Sequence, residues 1–278
     1  MTTPKLPHKK PRGLTQNDQV SGEIRPSSRL LGYDISARGL HGDVRLAFDM
    51  LNEKTRVDVV DCINPHSIVV AKHDDEFRLA LTRASLLLPD GAGIILGAKM
   101  LGLPIRERVA GTEFFLHLSQ LADKSENLRY FFLGSTPGVL NAIAHKLAKD
   151  FTNISVCGTY SPPFKQTFSQ EENRKMAQMI NEAKPDVLWV GMTAPKQEKW
   201  IENHRQVLQV PLICAIGAVF DFYGGSKKRS PEWIRKLGLE WLPRLLREPR
   251  RLWRRNLIST PVYLKYILME IIGTQKKA

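Results

Sequence analysis

Cysteine is scarce in this 278-residue sequence, which contains only Cys62, Cys157 and Cys214. The three lie far apart in the chain beside apolar residues, and no CxxC pair is present. This scarcity excludes a disulfide-stapled secreted domain and a cysteine-ligated zinc site as organising features. It is typical of a protein from a reducing compartment such as the cytosol.

Long apolar runs are also missing. No window holds the roughly 20 uninterrupted apolar residues that a membrane-spanning helix requires, because Asp90, Lys99 and Asp221 interrupt the most apolar regions. The first sixteen residues lack the apolar segment and cleavage site of a secretory signal. Since 42% of the residues are hydrophobic, the chain can still build a sizeable core, and we predict an ordered globular protein.

Positive charge is concentrated at the two ends of the chain, whose formal net charge is +13. Residues 1–40 carry seven Lys or Arg against three acids, and residues 226–278 carry fourteen against four. Basic ends suit nucleic acid, anionic lipid or a diphosphate ligand. A charged surface that only faces solvent stays open as an alternative.

In the middle of the chain, short apolar runs alternate with helical segments. This alternation predicts an α/β fold, a Rossmann-like, mostly parallel sheet flanked by helices. We predict strands at residues 57–63, 84–88, 128–133, 154–157, 185–190 and 211–216. Helices are predicted at 136–150 and 169–183, the second opened by a Ser-x-x-Glu capping signal.

Three regions follow from these patterns: a flexible basic arm over residues 1–40, an α/β core over 41–229 and a basic helical appendage over 230–278. In the appendage, prolines divide the pattern into helical pieces. Its interleaved Trp, Leu and Arg residues suit a helix that lies in an anionic membrane interface. Packing on the core with solvated charges is the alternative.

The stretch SLLLPDGAGIILG, residues 85–97, has three interpretations. Gly91, Gly93 and Gly97 follow a predicted strand, as they would in a dinucleotide-binding turn. Asp90 stands against that interpretation, because its carboxylate would repel a pyrophosphate. Asp-Gly is also an ordinary turn sequence. The third interpretation is chemical, since Asp90 would lie beyond the carboxyl end of a strand, where ligands of α/β sheets bind.

Other predicted strands also end in polar residues, and parallel strand ends share one edge of a sheet. Gly134 and Ser135 precede a helix and offer backbone N–H groups to a phosphate. Asn64 and Gln197 offer hydrogen bonds to a sugar or a base.

The charged residues predicted near the same edge are less specific evidence for a binding site. Arg108 and Lys196 add positive charge, although each type is usually a surface residue. Asp221 follows an apolar run in a predicted strand-to-loop turn, where it would accept hydrogen bonds from the loop or cap a helix. No D-x-D motif is present, so an enzyme acting on a diphosphate here would use arginines rather than a carboxylate-bound metal ion.

Several long strings together resemble the WecG/TagA/CpsF glycosyltransferases, family 26. They run from about Asp58 to Arg255: LPDGAGIILGAKMLGLPIRERVAGTEFF, YFFLGSTPGV, GTYSPPF, PDVLWVGMTAPKQEKW and IGAVFDFYGGSKKRSPEWIRKLGLEWLPRLLREPRRLWRR. The resemblance implies an inverting, metal-independent enzyme without a cofactor. It would move a sugar from a UDP-sugar to a polyprenyl-diphosphate-linked saccharide at the cytoplasmic membrane face, in surface or exopolysaccharide synthesis. No nucleic-acid partner is expected, and a homo-oligomer stays open.

The resemblance also implies roles for individual residues. The aspartate of the family's Asp-Gly motif, its proposed general base, falls on Asp90. The glutamine of the family's Pro-Lys-Gln-Glu motif falls on Gln197, and the arginine preceding its Gly-Thr-Asp motif falls on Arg108, so these three are the predicted catalytic residues. Tail arginines are expected to complete the site over the diphosphate. The predicted substrate-binding residues are Asn64, Gly91, Gly134, Ser135, Lys196, Asp221, Arg244 and Arg251.

This sequence departs from the family pattern at three positions. Cys62 stands where the family usually has threonine, Glu113 replaces an aspartate, and Ser230 replaces an alanine. Two other function classes stay open from the residues alone. A nicotinamide-dependent dehydrogenase would be stabilised by NAD(P), and a nucleic-acid-binding module would bind DNA or RNA in a strongly salt-dependent way.

Overall fold

A computed structural model describes residues 27–124, 127–225, 241–247, 249 and 253–275. The strands in chain order are β1 (Ser27–Leu30), β2 (Tyr33–Ser36), β3 (Asp58–Ile63), β4 (Leu86–Pro89), β5 (Leu128–Gly134), β6 (Ile154–Tyr160), β7 (Val187–Gly191) and β8 (Leu212–Ala215). The helices are α1 (Gly39–Glu53), α2 (Pro65–Ala71), α3 (Asp75–Arg83), α4 (Ala92–Met100), α5 (Gly111–Ala122), α6 (Pro137–Asp150), α7 (Gln170–Ala183), α8 (Lys196–His204), α9 (Gly217–Phe222), α10 (Trp241–Arg247) and α11 (Ser259–Gln275). A π-helical turn, Arg254–Ile258, leads into α11.

Six strands form one sheet in the order β4-β3-β8-β7-β5-β6, and every neighbouring pair is parallel. All six predicted core strands are present within a few residues of their expected bounds, so the predicted α/β sheet is confirmed. Every residue of β4 and β8 is buried. Strands covered on both faces need continuous apolar runs, which is why their sequence signal was strong.

Helices cover both faces of this sheet. On one face, α1, α5 and α6 pack over a cluster that includes Val60 and Trp189. On the other, α7 and α8 pack over Val59 and Leu188. The predicted capping box of α7 is present, since Ser169 and Glu172 exchange side-chain and backbone hydrogen bonds.

The predicted flexible arm needs a correction within the described residues. Residues 27–36 form an antiparallel hairpin of β1 and β2. Leu30 and Ile35 are fully buried in a third apolar cluster together with residues of α2, α3 and α4. The core therefore begins by Ser27 rather than at residue 41, and the rest of the predicted arm, residues 1–26, lies outside the described residues.

The helical tail is less separate from the core than predicted. Helix α11 packs against α2 and α4 and buries Tyr263 and Ile267 in the same third cluster. Its opposite face exposes apolar side chains, among them Leu268, Met269 and Ile272. Among the described residues, no helix combines the length and apolar character needed to cross a bilayer.

Candidate active site

Asp90 directly follows β4 at the carboxyl edge of the sheet. Its backbone N–H donates to the Ile63 carbonyl at 2.9 Å, which ties it to the end of the neighbouring strand β3. Gly91 follows with a φ of +98°, a conformation that glycine adopts at little cost, and caps α4. This turn holds the half-buried Asp90 side chain at the sheet edge where ligands of α/β folds collect.

The other glycines of the turn are packing positions. A Cβ atom at Gly93 would lie 2.4 Å from Pro65 Cγ, and one at Gly97 would lie 2.1 Å from Tyr263 Oη. Side chains at either position would collide with α2 or α11. The spacing of these glycines therefore reflects close contact between helices, which accounts for it without a bound dinucleotide.

Arg108 is brought beside this turn by the backbone. The N–H of the next residue, Val109, donates to the carbonyl of Pro89 at 2.9 Å, so the Arg108 loop runs along the end of β4. The Arg108 side chain is partly exposed. The structure thus places the predicted base and the predicted arginine on adjacent backbone segments.

Asn64 lies at the end of β3, one strand from Asp90 in the sheet. Its Oδ1 accepts a hydrogen bond of 3.1 Å from the Ser67 N–H and so caps α2. Its Nδ2 group and the second lone pair of Oδ1 are not used by this cap.

Gln197 and Lys196 begin α8, just beyond the end of β7. The connecting turn contains Thr193 at φ +70°, a strained conformation for a β-branched residue. The Gln197 side chain is buried at this edge. Lys196 turns toward the loop after β6, where its Nζ donates to the Lys165 carbonyl and lies 4.0 Å from the centre of the Phe168 ring. Desolvation, followed by the charge of Lys165, lowers the pKa of Lys196.

The prediction that Gly134 and Ser135 offer backbone N–H groups to a phosphate needs a correction at Ser135. The Ser135 N–H donates to the Gly191 carbonyl at 3.2 Å, so this donor already serves the junction of β5 and β7. Gly134 has a φ of +123°, and a Cβ atom there would lie 2.3 Å from the same carbonyl oxygen. The glycine is therefore required by close strand packing.

The remaining predicted residues have different outcomes. Asp221 lies within α9 rather than in a strand-to-loop turn, because the apolar run Gly217–Phe222 forms a short helix over the sheet edge. Arg244 belongs to α10. Arg251 lies outside the described residues. Within the described part of the chain, no group of three or more His, Cys, Asp or Glu side chains is arranged to hold a metal ion.

The tail reaches the edge of the site, a contact that sequence analysis missed. His66 Nδ1 and Ser259 Oγ form a hydrogen bond of 2.8 Å between α2 and the first residue of α11. His66 is two residues from Asn64, so α11 docks beside the end of β3. Desolvation, followed by the charge of Arg255, lowers the pKa of His66.

Comparison with known proteins shows the family of this chain. Residues 28–277 match the model of the Glycosyl transferase WecG/TagA/CpsF family. The chain belongs to this family. Similar proteins include the N-acetylglucosaminyldiphosphoundecaprenol N-acetyl-beta-D-mannosaminyltransferases of Bacillus subtilis strain 168, 31% identical over 76% of this chain and 79% of the relative, and of Staphylococcus aureus strain MW2, 28% identical over 77% and 80%. The protein is a glycosyltransferase, as the resemblance predicted.

This glycosyltransferase also contains buried acids that sequence analysis did not single out. Asp61 lies inside β3, and Glu198 lies next to Gln197 on α8. Burial raises the pKa of Glu198 to about 7. Burial, followed by the charge of Glu198, raises the pKa of Asp61. The only sequence signals were an acid within an otherwise apolar strand and the Gln-Glu pair itself.

Cys62, which stands at the family's usual threonine position, follows Asp61 in β3 and packs against the apolar cluster on the opposite face of the sheet. Burial, followed by the charges of Asp90, Asp61 and Glu198, raises the pKa of its thiol well above the usual value. A thiol in these surroundings stays protonated at neutral pH. It is thus a small, neutral neighbour of Asp90 and not a second base.

Proposed function

We propose that this glycosyltransferase moves a sugar from a UDP-sugar to a polyprenyl-diphosphate-linked saccharide with inversion at the anomeric carbon. The observation that carries the proposal is the position of Asp90 at the sheet edge, with Arg108 on the adjacent segment and Asn64 on the next strand. The names of the relatives support a lipid-linked acceptor, because they specify a GlcNAc-diphosphoundecaprenol substrate.

In the proposed reaction, Asp90 accepts the proton of the acceptor hydroxyl as its oxygen forms a bond to C1 of the donor sugar. The bond from C1 to the UDP oxygen breaks on the opposite face, and UDP leaves with the electron pair. A positioned base contributes about 10²- to 10⁴-fold in such steps. Arg108 would stabilise the negative charge that grows on the leaving diphosphate.

Product analysis tests the reaction directly. The purified chain is incubated with a panel of UDP-sugars and a polyprenyl-diphosphate-linked GlcNAc acceptor, and both UDP release and the anomeric configuration of the product are measured. We expect UDP release that requires the acceptor and a product of inverted configuration. UDP release that is independent of the acceptor, or a product of retained configuration, would contradict the proposal.

We further propose that transfer needs no metal ion, with arginine charge taking the place of a cation at the diphosphate. The absence of a D-x-D motif from the sequence supports this. Transfer should therefore keep its rate in excess EDTA. Loss of activity that added Mg²⁺ or Mn²⁺ restores would refute metal independence.

The same reaction calls for access to a lipid-linked substrate, and we propose that the protein is peripheral on the inner face of the cell membrane. The outer side of α11 supports this, because Leu268, Met269 and Ile272 are exposed there together with Lys265. Apolar residues beside a cation suit the interface of an anionic bilayer.

Vesicle binding tests this surface. The full chain should sediment with vesicles rich in phosphatidylglycerol, and the variant Leu268→Gln/Met269→Gln/Ile272→Gln should remain in the supernatant. The matched control changes exposed apolar residues elsewhere, Leu79→Gln and Val207→Gln. Equal binding by both variants would exclude α11 as the membrane contact.

A further inference from the structure

A buried polar cluster lies beneath the sheet edge, where α8 packs against β8 next to β3. Gln197, Glu198 and Asp61 are only 4%, 2% and 1% exposed. Each contributes one of the six buried polar side-chain atoms that have no hydrogen-bond partner among the described residues: Gln197 Oε1, Glu198 Oε2 and Asp61 Oδ1. Half of these unpaired atoms therefore belong to three side chains in one place.

The hydrogen bonds of this cluster fix the orientation of the Gln197 amide. Its Nε2 donates to Glu198 Oε1 at 2.9 Å and to the carbonyl oxygen of Ala215 at 3.1 Å. Both partners are acceptors, so only the NH₂ end of the amide can face them. A flipped amide would lose both bonds and place oxygen against oxygen. The carbonyl oxygen of Gln197 must therefore face the other way.

That oxygen faces the ends of β7 and β8. A Cβ atom at Gly217 would lie 3.1 Å from Gln197 Oε1, and the same point lies 3.9 Å from both Gly191 Cα and the Thr193 nitrogen. Gly217 opens α9, so the absence of a side chain there leaves room in front of the oxygen. A buried acceptor without a donor is unfavourable, which favours a ligand that supplies the missing hydrogen.

Asp61 lies on the strand next to the carbonyl group that anchors Gln197. Asp61 pairs in register with Ala215, whose carbonyl also accepts from Gln197. The nearby acid Glu202 is neutralised by Arg83 at 2.8 Å and Arg205 at 3.3 Å. Burial, followed by the charge of Glu198, raises the pKa of Asp61, and burial raises the pKa of Glu198 to about 7, so both groups hold a proton more tightly than exposed acids do.

We propose that Glu198 is a positioning residue that holds the Gln197 amide so that Gln197 meets the substrate only as a hydrogen-bond acceptor. The substrate group that it takes is a polar hydrogen of the sugar, a hydroxyl O–H or an acetamido N–H. This inference rests on the proposed glycosyl transfer, which places a sugar at this edge. Glu198 itself does not touch the substrate.

A double-mutant cycle tests the positioning role. Gln197→Met and Glu198→Met should each lower kcat/KM for the donor by about 10-fold or more, the loss of a buried hydrogen bond. Because Glu198 acts through Gln197, the double variant should lie within about threefold of Gln197→Met alone. Glu198→Gln keeps an acceptor oxygen for Gln197 and should recover most of the transfer lost in Glu198→Met. Glu182→Met, at an exposed glutamate of α7, is the matched control and should match the wild type.

Two results would overturn the proposal. One is additive losses in the double variant, which would make Glu198 independent of Gln197. The other is a Glu198→Gln variant as impaired as Glu198→Met, which would mean that Glu198 acts by its charge. Thermal unfolding of each variant shows whether its loss of transfer is due to unfolding. Where it is, the amide-exchange measurement described next tests the positioning role.

The spectroscopic measurement does not need activity. In the full chain, the Gln197 side-chain amide signals are identified by their absence from Gln197→Met, and their exchange with water is compared with that of exposed Gln120. We expect slow exchange in the wild type and in Glu198→Gln, and faster exchange in Glu198→Met. Exchange as fast as that of Gln120 in the wild type would refute the anchoring. If the wild type transfers no sugar but the protection pattern holds, the proposed function fails and the anchoring stands.

Discussion

The protein has carboxyl groups in two different surroundings, with Asp90 in one and Asp61 and Glu198 in the other. Asp90 follows the end of a strand and is half-buried at the open edge of the sheet. Asp61 lies within a strand, and it and Glu198 are almost completely covered. A carboxyl group at the edge can exchange a proton with a bound substrate, whereas a covered pair can only hold its neighbours.

The position of a polar residue along its strand therefore determines whether it faces a ligand or packs inside the protein. Asp61 and Asn64 belong to the same strand and its end, three residues apart. The first faces α8 inside the protein, and the second lies at the carboxyl edge. In a parallel sheet this step decides whether a polar residue meets a ligand or another element of the protein.

The strongest test of the comparison is Asp90→Asn, which keeps the shape of the side chain and removes the base. We expect transfer to a lipid-linked acceptor to fall by about 10²- to 10⁴-fold, with an unchanged unfolding temperature. The control is Asp75→Asn, at an exposed aspartate of α3. Near-normal turnover by a folded Asp90→Asn variant would remove Asp90 as the base and with it the distinction between the two surroundings.

Gly97, in the helix that follows the Asp90 turn, tests the packing of α11 against α4. Gly97→Ala would place a methyl group against the Tyr263 hydroxyl, and overpacking of this kind costs about 1–3 kcal/mol of unfolding free energy. Removing that hydroxyl with Tyr263→Phe should recover part of the loss. Gly138→Ala, where a Cβ atom meets nothing, is the control in chemical denaturation. Equal stability of Gly97→Ala and the wild type would mean that α11 does not pack against Gly97.

Much of the fold could be predicted because buried parallel strands leave a strong local signal. The apolar runs of β3, β5, β7 and β8 are covered on both faces, so their sequences differ clearly from the helices between them. The hairpin of β1 and β2 was missed because its few buried residues are isolated within a polar segment. The docking of α11 was missed because Tyr263 and Gly97 meet across distant parts of the chain.

The site was predictable only where residues follow strands. That Asp90, Asn64 and Gln197 lie at one edge of the sheet could be predicted because parallel strand ends share an edge. The partner of each polar group was not predictable, since it depends on contacts between elements. The Ser135 N–H is taken by Gly191, and the Gln197 amide is held by Glu198, neither of which has a local signature.

The interior pair should make stability depend on pH. The pKa of Glu198 rises from 4.5 to about 7 on folding, so the folded state holds this proton more tightly than the unfolded chain. The resulting stabilisation is complete below pH 4.5 and is lost as pH rises through 7. Between pH 5 and 8 the unfolding temperature of the wild type should therefore fall by roughly 4 °C more than that of Glu198→Gln. Burial also raises the pKa of Asp43 to about 6. Its contribution to the pH dependence has the same sign, but it is present in both the wild type and Glu198→Gln. Parallel pH profiles would show that Glu198 is ionised throughout.

Cys62 gives the smallest expected effect, because its partly buried thiol packs against the apolar cluster on the face of β3 opposite Asp61. Burial and the surrounding acids raise its thiol pKa, so it neither accepts a proton from Asp90 nor carries charge at neutral pH. Cys62→Ser should change transfer by no more than about fivefold, the equivalent of one hydrogen bond of about 1 kcal/mol, and should leave the pH profile in place. In the folded wild type, iodoacetamide at pH 8 should leave this thiol unmodified. A shifted pH profile in Cys62→Ser would instead mean that the edge and interior carboxyl groups titrate as one system through this position.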